Sequence, residues 1–194
     1  MNKHNDDLVS KIGDFSRITR NFLGITDNDV ELLHQMKDRV SPTFEAVIAQ
    51  AATSLLNDPE GQECIKQSGL SQERAVALFK YWLESVFTGN FDEKHALLVA
   101  RISLAHVRNG VSENLMIETM GAFNRELLKL CSTPQESIAV TKALYWNLSI
   151  MISAYEYIRG LVKVKALGVE RNLEERLVRL YAKEVYTEIA KHIY

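Results

Sequence analysis

The sequence predicts an all-α fold, and three observations support this prediction. Apolar residues recur three, four and seven positions apart along most of the chain, whereas strict alternation over four or more residues is hard to find. The chain has only 3 prolines and 9 glycines, and nearly all of them lie between the periodic segments. Side chains that cap helix N-termini stand at the start of several segments. The chain is therefore interpreted as helical throughout.

Four helices are predicted in the first half of the chain. Thr26 precedes Asp-Asn-Asp29, and a hydroxyl followed by carboxylates favours the start of a helix. Ser41-Pro42 begins the next helix, because proline is favoured at the first helical position. That helix ends at Asn57-Asp-Pro59, and Ser71 opens the fourth. The predicted ranges are 8–20, 26–40, 41–57 and 71–88.

Three more helices and a helical tail are predicted in the second half, with breaks near Gly110, Pro134 and Gly168. The tail is charged, and its apolar residues recur at helical spacing. That stripe needs a partner, because an isolated helix buries none of it. We therefore predict one domain over residues 1–167 and a helical tail, or linker to an output partner, over 168–194. The predicted helices are 92–108, 112–131, 134–167 and 169–194. The apolar residues of the tail are Leu173, Leu177, Leu180, Val185, Ile189 and Ile193.

Composition narrows the class of protein. A chain of 194 residues with 46% hydrophobic and 25% charged residues suits one large globular domain, alone or with an appendage. The net charge of −2 argues against nucleic-acid binding, which requires a basic surface. No apolar run approaches the roughly 18 residues of a membrane span, and no signal peptide is visible. Cys64 and Cys131 are isolated, which is typical of a reducing cytoplasm.

One histidine has a context that suggests chemistry. His106 lies near the end of an amphipathic helix, four residues before Gly110. The helical face behind it carries Leu98, Val99 and Ile102. Burial among aliphatic side chains favours the neutral imidazole, which is the form that binds a metal. Periodicity alone favours a packed core histidine over a metal ligand at this position.

The other chemistry-bearing residues do not form a recognisable catalytic set. His95 lies eleven residues before His106, three helical turns away and too far to share one ion. Motifs of helical metal sites, serine hydrolases and phosphate-binding loops are absent from the sequence. The Cys-x-x-Cys-His attachment motif is also absent, so any haem is expected to be bound non-covalently. We therefore expect a protein that is not an enzyme.

Residues Phe22 to about Tyr155 resemble the globin domain of the globin-coupled sensor and protoglobin family. The resemblance rests on Leu83-Glu-Ser-Val-Phe-Thr-Gly-Asn-Phe-Asp92 and on Arg101-Ile-x-x-x-His106-Val-Arg-x-Gly110. Leu55-Leu-Asn-Asp-Pro-Glu60 is similar to the end of an earlier helix of the family. The resemblance implies a globin-like all-α fold that binds haem b, with His106 as the proximal iron ligand. The candidates for the apolar walls of the pocket are Phe79, Leu83, Val99, Ile102 and Met116.

This chain departs from the family pattern on the distal side. The family's tyrosine, a hydrogen-bond donor to bound oxygen, falls at Ala52, and an aliphatic position of the next helix falls at Ala75. Gln50 and Thr53 are nearby polar candidates, although neither has the tyrosine's helical position. Losing a buried donor costs about 1–3 kcal/mol, or roughly ten- to a hundredfold in affinity. Asn147 stands where the family usually has aspartate.

The resemblance implies a sensor that binds O2, CO or NO at iron. It also implies a homodimer formed by the helices at about 112–131 and 134–167. We expect the second ring nitrogen of His106 to be held by a backbone carbonyl one turn earlier, as is usual for metal-bound histidine. Three alternatives remain: a haem-free globin-like sensor or interaction module that binds another ligand or partner, a structural helical dimerisation domain, and an enzyme that uses the haem for peroxidase or nitric-oxide chemistry. The sequence shows no polar distal acid–base pair for the last of these.

Overall fold

The computed structural model describes residues 3–69 and 71–193, without the side chains of residues 3–7, 171, 192 and 193. Within these ranges every regular element is a helix, as predicted. A 3₁₀ turn at Ser41–Thr43 precedes the third α-helix. The helices are α1 (Lys3–Phe22), α2 (Asp27–Val40), α3 (Phe44–Asn57), α4 (Pro59–Ser68), α5 (Gln72–Thr88), α6 (Glu93–Arg108), α7 (Glu113–Leu128), α8 (Pro134–Leu167) and α9 (Arg171–Ile193).

Four of the predicted helix starts are confirmed by their caps. The Thr26 hydroxyl accepts a hydrogen bond from the backbone N–H of Asp29, and the Asp29 carboxylate accepts one from the backbone N–H of Thr26 at 2.7 Å. The side chains of Ser71, Asp92 and Ser112 each accept one backbone N–H at the start of α5, α6 and α7. The predicted start at Ser41 was wrong, because Ser41 makes no side-chain cap and α3 begins at Phe44 after the 3₁₀ turn. Local chemistry at the four capped positions is sufficient to begin a helix, which is why the sequence reveals them.

Three other predicted boundaries were wrong. The first helix is longer than residues 8–20 at both ends, and α7 ends at Leu128 rather than near Cys131. Helix α4 was missed altogether, because Asn57-Asp-Pro59 was interpreted only as the end of α3. Asp58 also caps α4 by accepting a hydrogen bond from Gly61, and Pro59 takes the first helical position. The same three residues therefore end one helix and begin the next.

The core is one apolar cluster that draws on helices from α1 to the first part of α8. Helix α3 packs against α5 and α7, α1 packs against α6, and α2 packs against α5. Aromatic pairs fill the centre: Trp82 meets Phe123 edge-on at a centroid distance of 5.0 Å. Phe79 lies 5.3 Å from the same Phe123 ring. These contacts join α5 to α7.

Polar groups inside this core connect α8 to its neighbours. The Trp82 indole N–H donates to the Asn147 amide oxygen at 3.1 Å, and the Asn147 NH₂ donates to the Ala143 carbonyl at 2.9 Å. Ser103 of α6 donates to the Met151 carbonyl at 2.6 Å. Buried polar groups are tolerated only when they are paired, so the bonds from Trp82 and Ser103 specify how α5 and α6 pack on α8, whereas the bond to Ala143 lies within α8.

Two compact units divide the chain, at Met1–Tyr155 and Glu156–Tyr194. This boundary lies inside α8, whereas the predicted division between residues 167 and 168 follows its end; that functional division stays a prediction. In the second unit, Gly168 adopts a φ of 64° between α8 and α9. Among the described helices none is long and apolar enough to cross a membrane.

The predicted apolar stripe of the tail is exposed on α9. Ile193 belongs to that stripe, but its side chain lies outside the described residues. An ion pair between Lys163 and Glu174 connects the end of α8 to the start of α9. The exposed members of the stripe are Leu173, Leu177, Leu180, Val185 and Ile189.

Replacing Asn147 should test how much the α5–α8 hydrogen bond stabilises the fold. We expect Asn147→Leu to lower the free energy of unfolding by about 1–3 kcal/mol, because the buried Trp82 N–H loses its acceptor. Urea unfolding of Asn147→Leu, Trp82→Phe and the double variant gives the coupling between the two side chains. Strictly additive single effects would contradict a direct contribution from this bond.

Candidate functional site

His106 lies in the last turn of α6 and is half-buried. Burial lowers the pKa of His106 below the ordinary value for histidine. The side chain is therefore neutral at pH 7, and a neutral imidazole has a lone pair available for a metal. The sequence predicted this state from the aliphatic residues of the same helical face.

The helix ends immediately after His106 in a geometry that requires glycine. Gly110 has a φ of 71°, and its N–H donates to the Val107 carbonyl at 3.2 Å. The N–H of Val111 donates to the His106 carbonyl at 3.1 Å. This pair of bonds is a Schellman motif, which satisfies the last carbonyls of a helix. The glycine stop seen in the sequence thus fixes the backbone of His106.

The expected hydrogen bond to the second ring nitrogen of His106 is not made. Nδ1 is buried and has no hydrogen-bond partner. The prediction of a backbone carbonyl one turn earlier was therefore wrong for this structure. No carbonyl of the preceding turn has hydrogen-bonding geometry to Nδ1. An unpartnered buried nitrogen leaves the imidazole with unused bonding capacity.

The five predicted wall residues fall into two groups. Leu83 and Val99 are fully buried and Met116 nearly so, and all three belong to the central core. Phe79 and Ile102 are half-buried and pack against that core. A side chain without exposed surface can contact an added group only if the core repacks. Phe79 and Ile102 are therefore the members able to meet a bound group directly.

The four distal candidates lie on α3 and α5. Ala52 and Ala75 are half-buried, next to core residues in the sequence, whereas Gln50 and Thr53 are exposed. The Thr53 hydroxyl donates to the Ala49 carbonyl of its own helix at 2.9 Å. Neither alanine side chain can donate a hydrogen bond to a ligand. Their assignment to a distal pocket stays a prediction.

The chemistry of His106 fits that of a proximal ligand to haem iron. The donor is a single neutral imidazole, because burial disfavours its charged form. The described residues contain no cluster of three or more metal-binding side chains. A groove of about 790 Å³ lies elsewhere, between α1 and the start of α6.

A second buried histidine was missed by the sequence analysis. His95 lies in the first turn of α6, and its ring packs 4.8 Å from the Trp146 ring. The N–H of Phe91 donates to its Nδ1 at 3.4 Å, while Nε2 is buried without a partner. A β-carbon at Gly89 would overlap the His95 ring, so only glycine fits there. The sequence feature that could have revealed this burial is the Gly-Asn-Phe-Asp turn before α6, since Gly89 and Phe91 of that turn pack against the His95 ring.

The protoglobin family model matches residues 17–159 of this chain, which is more than half of its length. The chain belongs to the protoglobin family. This protoglobin is also similar to a solved structure, the globin domain of a Geobacter sulfurreducens globin-coupled sensor. The two are 26% identical, with a TM-score of 0.66 over 72% of this chain and 96% of that domain. No curated protein matches the chain.

The predicted family and the globin-like all-α fold are thus confirmed. Family members generally bind haem, and the matched residues include α6 with its two buried histidines. The matched segment ends at residue 159, so α9 lies outside it.

Burial of His95 should make the stability of this protoglobin fall in acid. Desolvation lowers the pKa of His95 to about 4, whereas the unfolded value is near 6.5. The unfolded chain therefore takes up the proton first. Stability is complete above about pH 6.5 and is lost as the pH falls towards 4, by about 3 kcal/mol from this residue.

Urea unfolding between pH 7.5 and 4 measures this loss in the wild type and in His95→Gln. The variant should show a shallower dependence on pH, because one titrating group is gone. His106→Gln is the control for the other buried imidazole, whose lowered pKa acts in the same direction. Equal slopes in the wild type and His95→Gln would contradict the assignment.

Proposed function

We propose that this protoglobin is a haem-b sensor domain that binds a diatomic gas. The observation that supports the proposal most is the neutral, half-buried imidazole of His106 in the last turn of α6. Membership of a family that generally binds haem supports a role for this histidine as the proximal iron ligand. The haem would be held without thioether links.

The chain's own residues would hold the haem and exclude water from it. The Schellman motif at Gly110 fixes the backbone of His106, so the ring has a defined origin. Phe79 and Ile102 would provide apolar surface next to it. When bound, the haem iron supplies one open coordination position for a small ligand. The half-buried Ala52 and Ala75 leave room for such a ligand but offer it no hydrogen bond.

This distal chemistry favours ligands that depend little on hydrogen bonding. A protein donor stabilises bound O2 more than it stabilises CO or NO. Since Gln50 and Thr53 are exposed, neither compensates for the missing tyrosine in the described arrangement. We therefore expect a sensor for gas rather than a carrier that holds oxygen tightly, and not an enzyme, because no acid–base pair accompanies the alanines.

Signalling would pass from α6 to α8. Ser103, three residues before His106, donates to the Met151 carbonyl, so a shift of α6 strains or moves α8. We propose that α7 and α8 pair with their copies in a homodimer. Large apolar residues are exposed on both helices, among them Ile117, Ile138 and Tyr145. Gas binding changes the signal only if two packings of this dimer differ in ligand affinity.

The tail would carry this signal onward. The exposed apolar stripe of α9 lies outside the family match and needs a partner. We propose that residues 168–194 contact an output domain or partner protein. The acidic balance of the chain and its isolated cysteines favour a cytoplasmic location.

A haem-free sensor or interaction module is the second candidate. The observation that favours it is the complete burial of Leu83 and Val99, two predicted wall residues, within the core of the described structure. In that case His106 is a packed neutral histidine, and the family fold holds another ligand or a partner.

Absorption spectra separate these two candidates. With haem supplied during expression, the wild type should show the bands of bound haem in oxidised and reduced forms, and His106→Ala should lose them. His34→Ala is the matched control, since His34 is exposed on α2. A colourless wild type with normal helicity would support the haem-free module instead.

Restoring the distal tyrosine tests the assignment of Ala52. We expect Ala52→Tyr to slow the dissociation of O2 roughly ten- to a hundredfold, because a buried donor is worth about 1–3 kcal/mol. Ala49→Tyr places the same side chain on the exposed face of α3 and should have no effect. Unchanged O2 dissociation in Ala52→Tyr, measured by stopped flow, would count against the distal pocket.

A further inference from the structure

Helix α7 contains a glycine that its own chain does not explain. Gly121 lies in the middle of the helix, where glycine is less favourable than alanine. It is exposed, and a β-carbon built there meets no atom within 4 Å. Its backbone is not in the left-handed region that favours glycine. Intramolecular packing therefore gives no reason for a bare backbone at this position.

Gly121 lies on an outer seam of α7 that repeats with alternating steps of three and four residues. This spacing is that of coiled-coil core positions, which face a second helix. Ile117 has 48% of its surface exposed, although it is a large aliphatic residue. Ile117 therefore combines apolar surface with solvent exposure on this seam. The outer seam consists of Asn114, Ile117, Gly121, Asn124 and Leu128.

Asn124 provides an independent observation on the same seam. Its amide oxygen is enclosed and has no hydrogen-bond partner. An enclosed acceptor without a donor destabilises the fold, so this amide gains a hydrogen bond if it turns to meet a donor outside its own chain. An asparagine amide has both donors and acceptors, so it is complementary to a second copy of itself.

We propose that α7 of a second copy crosses this chain at Gly121, backbone against backbone, with the two Asn124 amides hydrogen-bonded across the twofold axis. The two α7 helices are then parallel, because only that orientation brings each seam residue against its own copy. The inference rests on the homodimer of the proposed function and is independent of haem binding.

A second copy fits this seam better than an unrelated protein does. A twofold contact uses the same patch on both chains, so it requires self-complementary groups at the axis. A bare glycine and an amide meet that requirement, whereas a charged side chain at the axis would face its own like charge. Helix α8, which follows α7 in the chain, carries a seam of the same spacing. This second seam provides further apolar surface for a partner. That seam consists of Ile138, Thr141, Tyr145, Leu148 and Ile152.

Gly121→Ala gives a decisive test, because two effects of opposite sign are expected. The added methyl group meets nothing in its own chain and favours the helix, so thermal stability of the monomer should not fall. The dimer dissociation constant, measured by sedimentation equilibrium of the full chain, should rise at least tenfold. Glu118→Ala, exposed on the same helix but off the seam, should leave it unchanged.

Cysteine cross-linking tests the geometry without relying on affinity. In a Cys64→Ser/Cys131→Ser background, Gly121→Cys and Asn124→Cys should each form disulfide-linked dimers under mild oxidation, since a disulfide requires Cα atoms within about 7 Å. Glu118→Cys should not. Cross-linking at Gly121 but not at Asn124 would overturn the parallel pairing of the amides.

The outcomes separate this inference from the proposed function. A wild-type dimer whose dissociation constant is unchanged in Gly121→Ala, and which fails to cross-link at either seam position, would overturn the crossing while the homodimer stands. A monomeric wild type would overturn both the homodimer and the crossing, and the absorption spectrum would still report on haem binding.

Discussion

Desolvation of imidazole is the constraint on which the candidate site depends. Two histidines of α6, at its first and last turns, are held in surroundings that disfavour the charged ring. Because neutral imidazole is both the form that packs in a core and the form that binds a metal, one physical effect serves stability and chemistry together. His95 uses the effect for packing, where its ring contacts Trp146 and excludes any side chain at Gly89. His106 keeps a nitrogen available.

Helix α6 is fixed by core contacts on one side, whereas its other side borders half-buried residues. Hydrogen bonds inside the core, such as the one from Ser103 to Met151, fix α6 against α8. Fully buried side chains, Leu83 and Val99 among them, give the interior a single packing. Phe79, Ile102 and His106 keep some exposed surface. A group bound at His106 would therefore displace the half-buried side chains first. Its effect would then pass to the rest of the fold through the core contacts of α6.

Transmission of a signal needs a surface that lies beyond the core. Helices α7 and α8 each contribute residues to the core on one side and expose apolar residues on the other. In the proposed sensor, a movement that begins at α6 would reach these outer surfaces through side chains that are already in contact. Helices α8 and α9 continue past the residues that match the family model, and in the proposal they provide the surface for output.

Much of this protein was determined by local sequence. Helix starts follow from caps such as Thr26 and Ser71, the end of α6 follows from Gly110, and the neutral state of His106 follows from its aliphatic face, because each depends on residues within one or two turns. Helix α4 was missed, since Asp58 and Pro59 act on both sides of a break. Tertiary structure alone decided that His95 is buried, that Asn147 pairs with Trp82, and that Leu83 is enclosed whereas Phe79 is not. Those outcomes depend on groups far apart in the chain, and no local pattern specifies which face of one helix meets which face of another.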